Sequence, residues 1–343
     1  MKTKPEFIYL TQEDVVATGV GMKEALRAVE DALKLQSQRK VTFPSKSILD
    51  LGERERGRIN AMPAYVAGDY EMCGIKWIAG FPGNPRNHGI PRAHALTILN
   101  DSDTGVPVAV MDATYLSAMR TGAATGVGVK YLARPNSRCL GIIGCGIQSR
   151  TQLMAVAEVL PGIERVQAYD LSKEAAERFC RWISTRYGIE AFAADGAEGA
   201  VRGADVVITA TVADEPIVRE SWLKEGVLCV HIGSYQEEEE AVILSADKIV
   251  VDNWPELIHR RTPLLARMHL AGKVHADKIW AELGDVVLGR KAGRETDCER
   301  IYFAPLGLAI EDVAIATLAC RKAEEMGIGR RLPLWKNPVD WME

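Results

Sequence analysis

The sequence predicts an α/β protein of two domains, a doubly wound parallel sheet and a mixed α+β domain. Three observations carry this expectation. From Arg138 onward, apolar strand-like runs alternate with helix-length amphipathic stretches, the pattern of a parallel sheet covered on both faces. Between Ser45 and Val108, short strand-like runs bounded by Gly, Pro and Asn follow one another directly, as in an antiparallel or mixed sheet. The chain has 343 residues, more than one hydrophobic core usually organises, so each pattern is given its own domain.

Taken in order, apolar residues recur at helical spacing from Leu10 to Leu35 behind Thr11, with Glu13 and Asp14 in the first turn of a helix start, and they place an opening helix over 22–36. Strands are expected over 45–51, 58–62, 74–79 and 95–100, and Asp103-Thr104-Gly105 marks a hairpin-type turn between Leu99 and Val108. A helix of small residues over 121–132 leads to Pro135. Strands over 138–143, 165–169, 205–210, 227–232 and 248–251 then accompany helices over 147–160 and 173–187. A last helix over 311–326 follows a strand over 300–304 and is expected to pack back on the first domain. The domains are therefore 1–130, joined by 312–343, and 131–311.

Composition narrows the function. The net charge is only -4, so there is no basic excess to attract nucleic acid. Arg54, Arg56 and Arg58 alternate with Glu53 and Glu55 and read as a solvated turn, and the acidic run 237–240 reads as a solvated loop or helix start. Seven scattered cysteines without a CxxC pair argue against a disulfide frame and against zinc. The six histidines lack metal-ligand spacing, and no metal is expected. The charged start (Lys2, Lys4, Glu6) has no signal-peptide core and no run reaches membrane-spanning length, so a cytoplasmic protein without membrane contact is expected.

The strongest chemical signal is Gly144-Cys145-Gly146-Ile147-Gln148-Ser149, which follows an apolar strand and opens a helix. Gly144 permits a tight strand-to-helix turn, Gly146 lets backbone approach a pyrophosphate, and the helix N-terminus offers free N–H groups. Ser149 takes the place of a third glycine that serves packing. In this context the motif predicts a Rossmann domain. Asp170 ends the next strand, 24 positions beyond Gly146, near the spacing of an acid that binds the adenosine ribose. A carboxylate there repels a 2′-phosphate and favours NAD over NADP. Its other reading is a cap for the helix that begins near Ser172. Thr209, Thr211 and Val212 end a later strand, where ligands sit above carboxyl edges, although Thr is also an ordinary strand former.

On the substrate side, Lys76 lies mid-strand on the face of Gly74 and Ile78, where a buried ammonium is costly without a partner. An edge strand with its head group in solvent is one explanation. Arg120, among Ala, Gly and Thr, offers a planar fork to a carboxylate, or else makes a domain-interface salt bridge.

The blocks Arg58-Ile59-Asn60-Ala61-Met62-Pro63, Gly74-Ile75-Lys76-Trp77-Ile78 and Met119-Arg120-Thr121-Gly122-Ala123, with the Gly144 motif, resemble the ornithine cyclodeaminase and μ-crystallin family. The likeness extends to Leu99-Asn100-Asp101, Ala281-Glu282-Leu283-Gly284 and the block from Gly307 to Asp312. It implies that Lys76 faces cofactor and substrate, binding a carboxylate or polarising an imine, with Arg120 as its catalytic companion. It adds Lys46, where relatives usually carry arginine, and Asn60 and Met62 to the substrate contacts. It assigns Thr121, Gly146, Ile147, Gln148 and Gly233 to the dinucleotide. Asp312 is implied at the nicotinamide edge, while helix N-termini favour acids in any case.

Cyclodeaminases resemble one another in carrying a Glu where this chain has Asn60 and an Asp where it has Tyr235. An amide and a phenol do not replace carboxylates at neutral pH. The resemblance therefore implies an NAD(H)-dependent oxidoreductase acting at the α-carbon of an amino acid, cyclic ketimine or N-substituted amino acid. Gly74–Ile78 and Ala281–Gly284 look most like a subgroup acting on N-(2-amino-2-carboxyethyl)-glutamate. The alternatives are a redox-neutral cyclodeaminase releasing ammonia and a non-catalytic NAD-dependent binder of μ-crystallin type. The family also implies a homodimer made through the first domain.

Overall fold

The computed structural model describes residues 5–52, 57–337 and 339 and divides into two compact units, Met1–Arg120 with Leu308–Glu343, and Thr121–Gly307. In chain order the first strands are β1 (Glu6–Leu10), β2 (Val41–Thr42), β3 (Ser47–Asp50), β4 (Arg58–Val66), β5 (Met72–Gly80), β6 (Ala93–Asp101) and β7 (Pro107–Asp112). The second unit contributes β8 (Cys139–Ile143), β9 (Arg165–Tyr169), β10 (Glu190–Ala193), β11 (Val206–Thr209), β12 (Leu228–His231), β13 (Lys248–Val251), β14 (Ile279–Glu282) and β15 (Ile301–Ala304). The final strand, β16 (Arg330–Pro333), belongs to the first unit. Glu53, Arg54, Glu55 and Arg56, expected as a solvated turn, lie outside the described residues.

The first unit is built on a mixed sheet of order β16-β1-β7-β6-β5-β4-β2, with β3 also paired to β4. Only the β1–β7 pairing is parallel among those described. β5 is interior, so side chains alternate between two covered or coverable faces. Met62, Lys76 and Thr97 stand opposite one another on β4, β5 and β6, and all three are buried. The helix Ala309–Met326 packs on these three strands and on the helix Met22–Ser37, which buries Met22, Ala25, Ala28, Val29, Ala32 and Leu33 at helical spacing. Close approach of the returning helix depends on Gly74. A Cβ there would stand 2.8 Å from the Ile98 carbonyl oxygen, 2.8 Å from Leu99 Cδ2 and 3.3 Å from Val313 Cγ2.

The second unit is a parallel sheet of order β10-β9-β8-β11-β12-β15-β13-β14. Every residue of β11, β12, β13 and β15 is buried, which is why these strands read as continuous apolar runs rather than alternating ones. Strand order reverses beside β8: β9 and β10 lie on one side and β11 and β12 on the other. In such sheets ligands sit at the carboxyl ends of the strands that flank the reversal, here β8 and β11.

Three expectations change. The helix expected over 121–132 runs Thr114–Leu132, because the Asp112 carboxylate accepts from the Thr114 N–H at 3.1 Å and starts it earlier. The units consequently divide within that helix, after Arg120, and again before Leu308, rather than after 130 and 311. Its first turns carry Ser117 and Arg120 to partners in the first unit, while Gly122 and Gly128 pack on Thr151 and Phe303 in the second. Finally, Glu237 and Glu238 are buried instead of solvated. Among the described residues no helix is long and apolar enough to cross a membrane.

Replacing Gly74 by alanine should lower unfolding stability by about 1–3 kcal/mol through overpacking against the β6 backbone. Urea unfolding checks this, and an unchanged midpoint would mean that the helix does not depend on that close approach.

Candidate functional site

In the first unit a buried cluster of charges forms where β5 meets two helices of that unit. Lys76 Nζ donates to Asp312 Oδ1 at 2.7 Å and to Ser117 Oγ at 3.2 Å. Arg120 Nε donates to the same Asp312 oxygen at 2.9 Å, and Nη1 to Glu311 Oε2 at 3.1 Å. Ser117 and Arg120 share one face of their helix by the three-residue spacing, and Glu311 and Asp312 lie in the first turn of Ala309–Met326. Lys76 is 1% exposed and Arg120 8%. Burial, followed by the nearby Arg120 charge, pushes the Lys76 ammonium down to about 7, although Asp312 pulls the other way and Lys46 adds to the depression. Arg120 moves up: burial opposes its charge, but Asp312 and Glu311 outweigh burial.

The arrangement removes one alternative for each cation. Lys76 is on an interior strand and inside, so it is no edge residue with a solvated head group. Arg120 makes salt bridges, and they lie within the first unit. Neither bond engages Arg120 Nη2, and one ammonium proton of Lys76 remains beyond its two bonds. Lys46 precedes β3, whose Ser47 pairs with Ala61, which places it at the level of Met62 and Lys76. Asn60, two residues from Met62 on the same strand face, has a buried Oδ1 with no hydrogen-bond partner, as does Asp312 at Oδ2. Lys46, Asn60, Met62, Lys76, Arg120 and Asp312 are therefore all brought to one face of the first unit.

In the second unit the glycine motif is the β8-to-helix turn at the strand-order reversal. Gly144 has φ +89°, a left-handed conformation that glycine adopts without strain, and a Cβ on it would sit 2.7 Å from the Ala210 carbonyl oxygen. Gly146 is the N-cap of the helix Ile147–Val159, and a Cβ there would meet nothing within 4 Å. The N–H of Arg150, bonded to Gly146 O at 3.4 Å, is the first to turn back into the helix. That leaves the N–H groups of Ile147, Gln148 and Ser149 as the helix's anion-facing end. Ser149 is buried, donating to Gly144 O at 2.5 Å, which fits its packing role. Ile147, Leu171 and Val212 are 66%, 95% and 45% exposed at the carboxyl ends of β8, β9 and β11. An open N-terminus ringed by exposed apolar side chains fits a dinucleotide, whose phosphates need N–H donors and whose flat rings cover apolar surface.

Asp170 does more than the sequence indicates. Its Oδ2 accepts from the Cys145 N–H at 2.8 Å and its Oδ1 from the Ser172 N–H at 2.9 Å, so the carboxylate braces the glycine turn while standing at the end of β9. The cap of the following helix is Ser172 itself, whose hydroxyl accepts from Ala175 N–H. Thr209 is corrected: it is buried, and its hydroxyl donates to Glu238 Oε1 at 2.7 Å and Glu237 Oε2 at 3.1 Å rather than facing a ligand. The N–H groups of Thr211 and Gly233 are both held by Glu237, and Thr121 begins the second unit's share of the helix that crosses Thr151. Glu237, Glu238 and His231 were missed as site residues because an acidic tetrad reads as solvent-facing. Among the described residues they are the one group with His and carboxylate atoms close enough to share an ion. Their oxygens are already taken by N–H and O–H donors, so the group is a protein ion pair.

A doubly wound sheet with a glycine turn at its reversal defines a dinucleotide-binding α/β protein, here joined to a unit with buried cations. The sequence model of the ornithine cyclodeaminase/mu-crystallin family matches residues 7–327, and the chain belongs to that family. It is 39% identical over 334 residues to an alanine dehydrogenase of Archaeoglobus fulgidus, covering 96% of this chain and 99% of that one. It is 36% identical over 336 residues to the N-((2S)-2-amino-2-carboxyethyl)-L-glutamate dehydrogenase of Staphylococcus aureus, with 96% and 99% covered. A Thermococcus litoralis Δ1-pyrroline-2-carboxylate reductase, solved with NADH and L-proline, superimposes with a TM-score of 0.85 at 36% identity, covering 94% of this chain and 99% of that one.

Asp312→Asn should destabilise the protein by about 3–5 kcal/mol, because two buried cations then lose a shared counter-charge. Chemical denaturation measures it; a loss below about 1 kcal/mol would place those cations in water instead.

Proposed function

We propose that the chain is an NAD(H)-dependent oxidoreductase acting at the α-carbon of a carboxylated amine or imine: an amino acid, a cyclic ketimine or an N-substituted amino acid. One observation carries the reading. Lys76, fully buried on a sheet face, shares a single Asp312 oxygen with Arg120 and lies near Lys46. Lys76 and Arg120 are paired with Asp312 and Glu311, and Lys46 lies near enough to act on the Lys76 ammonium. A substrate carboxylate takes its donors from these cations, Arg120 Nη2 first.

The dinucleotide is held at Gly144, Gly146, Ile147 and Gln148, with Thr121, Thr211, Val212 and Gly233 alongside and Asp170 favouring NAD. Once bound, it supplies or accepts the hydride. Lys76 manages the proton. In reduction its Nζ donates to the imine nitrogen, and in oxidation the neutral amine takes that proton back. Asp312 keeps the ammonium oriented and charged. An arriving carboxylate raises the proton affinity of Lys76, so the acid form is favoured in the loaded enzyme. Asn60 and Tyr235, where cyclodeaminases carry carboxylates, favour net redox chemistry over ammonia release. The relatives named above act on alanine, on an N-substituted glutamate and on a cyclic imine, by their names, in keeping with this substrate class.

Oligomeric state follows from the other sheet face. Trp77 and Leu96 form a cross-strand pair beside Ile98, and these three are 45%, 47% and 37% exposed. A contiguous apolar face of this kind is covered by a second copy of the chain, making a homodimer. The chain is placed in the cytoplasm, whose reducing poise would keep its cysteines as thiols.

With NADH and a panel of pyruvate plus ammonia, Δ1-pyrroline-2-carboxylate and N-substituted amino acids, absorbance should show net cofactor turnover. Ammonia release at constant NADH absorbance would instead identify a cyclodeaminase. Lys76→Ala should lower kcat by about 10²–10⁴-fold. Arg120→Lys should raise KM by roughly 10–100-fold, the loss of one or two charge-assisted hydrogen bonds. Because Lys76 is an ammonium below about 7, kcat/KM for reduction should fall as pH rises through that value. A profile that stays level there would remove Lys76 as the proton donor.

A further inference from the structure

We propose that Glu237 is a positioning residue for the dinucleotide, its carboxylate tying together the loops that leave β11 and β12, with His231 as its buried counter-charge. The proposal rests on the dinucleotide reading of the Gly144 turn. Glu237 spends one oxygen on each loop: Oε1 accepts from the Thr211 N–H at 2.6 Å and Oε2 from the Gly233 N–H at 2.9 Å. Its carbonyl accepts from the N–H groups of Ile217 and Val218 at 2.8 and 3.0 Å, fixing the far end of the loop after β11. The Gly144 turn rests directly on that loop, since a Cβ on Gly144 would meet the Ala210 carbonyl and, at 3.1 Å, the Thr211 methyl. Glu237 thus sets the backbone on which the phosphate-binding turn sits without itself reaching the ligand.

Such a clamp needs a charge to sustain it. Glu237 and Glu238 are 0% and 2% exposed, and adjacent buried carboxylates repel. His231 Nδ1 stands 2.9 Å from Glu238 Oε2 and 3.4 Å from Glu237 Oε2. Glu238 also accepts from Thr209 on β11 and, at 3.4 Å, from the Tyr302 hydroxyl on β15. Besides the two glutamates, the titratable groups near His231 are Tyr302 and Cys229, with Arg300 acting on Cys229. Burial beside Glu238 raises both the phenol and the thiol, so neither contributes charge near neutrality. Burial opposes charge on His231, but Glu238 and then Glu237 outweigh it and hold the imidazolium up to about 9. In return that imidazolium lowers Glu238 against its burial, whereas burial raises Glu237.

The sign follows. Below the ordinary histidine value the ion pair is complete, and its stabilising effect is lost as pH rises through about 9. Beyond that point the two adjacent buried carboxylates repel each other without a counter-charge, and the loops loosen.

NADH titration of the full chain by fluorescence tests the clamp by binding alone. Wild-type affinity should be level near neutrality and weaken as pH passes about 9, approaching about tenfold per pH unit above it. His231→Gln should bind more weakly near neutrality and lose that slope. Glu237→Gln, whose amide must face one of the two N–H groups, should weaken NADH binding by roughly tenfold or more while circular dichroism shows an intact fold. Level wild-type affinity to about pH 10, or folded variants that bind as wild type does, would overturn the clamp. If neither variant folds, the wild-type profile decides. A wild-type chain that binds no NADH at any pH would instead overturn the dinucleotide reading itself.

Discussion

Charge removed from water must be answered by charge, and each unit is organised around one such exchange. In the first, Asp312 stands between Lys76 and Arg120, so one strand and two helices are held in one relation by a single carboxylate oxygen. In the second, His231 stands against Glu237 and Glu238. A buried ion left unpartnered costs several kcal/mol, a large part of the whole stability of a folded domain. Leu, Ile and Val would fill the same space at less cost, so the charges answer to chemistry rather than to packing.

The two clusters differ in make-up, and each suits a different task. The first has two buried cations and a lysine whose proton is only weakly held, conditions for gripping a carboxylate and passing a proton to nitrogen. The second is an acidic pair beneath the loops of a Rossmann sheet. Glu237 spends its oxygens on the backbone N–H groups of those loops, and Glu238 on the Thr209 and Tyr302 hydroxyls and His231. Asp170 repeats the device at the neighbouring strand, bracing the Cys145 N–H. Acids would repel a pyrophosphate if they faced it; as acceptors behind the backbone they orient the loops around it.

Much of this was legible in the sequence where a rule is local. The glycine motif lies between a strand and a helix, and the two-residue alternation of β5 correctly put Lys76 on the Gly74 face. Partnerships between distant residues were not legible. Lys76 and Asp312 are 236 positions apart, and nothing local to either names the other. Glu237 and Glu238 looked like a solvated acidic run because their counter-charge, His231, is a lone histidine at a strand end. The strand β1 was hidden by a helical spacing that begins at Leu10, and β16 by its distance from the strand it joins. Thr209 is at the expected edge of its strand, but its hydroxyl turns inward to acids whose run in sequence reads as solvent-facing.

The central claim is that hydride passes between the nicotinamide and the substrate's α-carbon. Turnover of a carboxylated imine with NADH deuterated at nicotinamide C4 tests it most directly, with the product read by NMR. The account requires deuterium on the α-carbon, transferred from one face of the ring. Product carrying only solvent hydrogen at that carbon, or deuterium retained by the cofactor while ammonia is released, would contradict it.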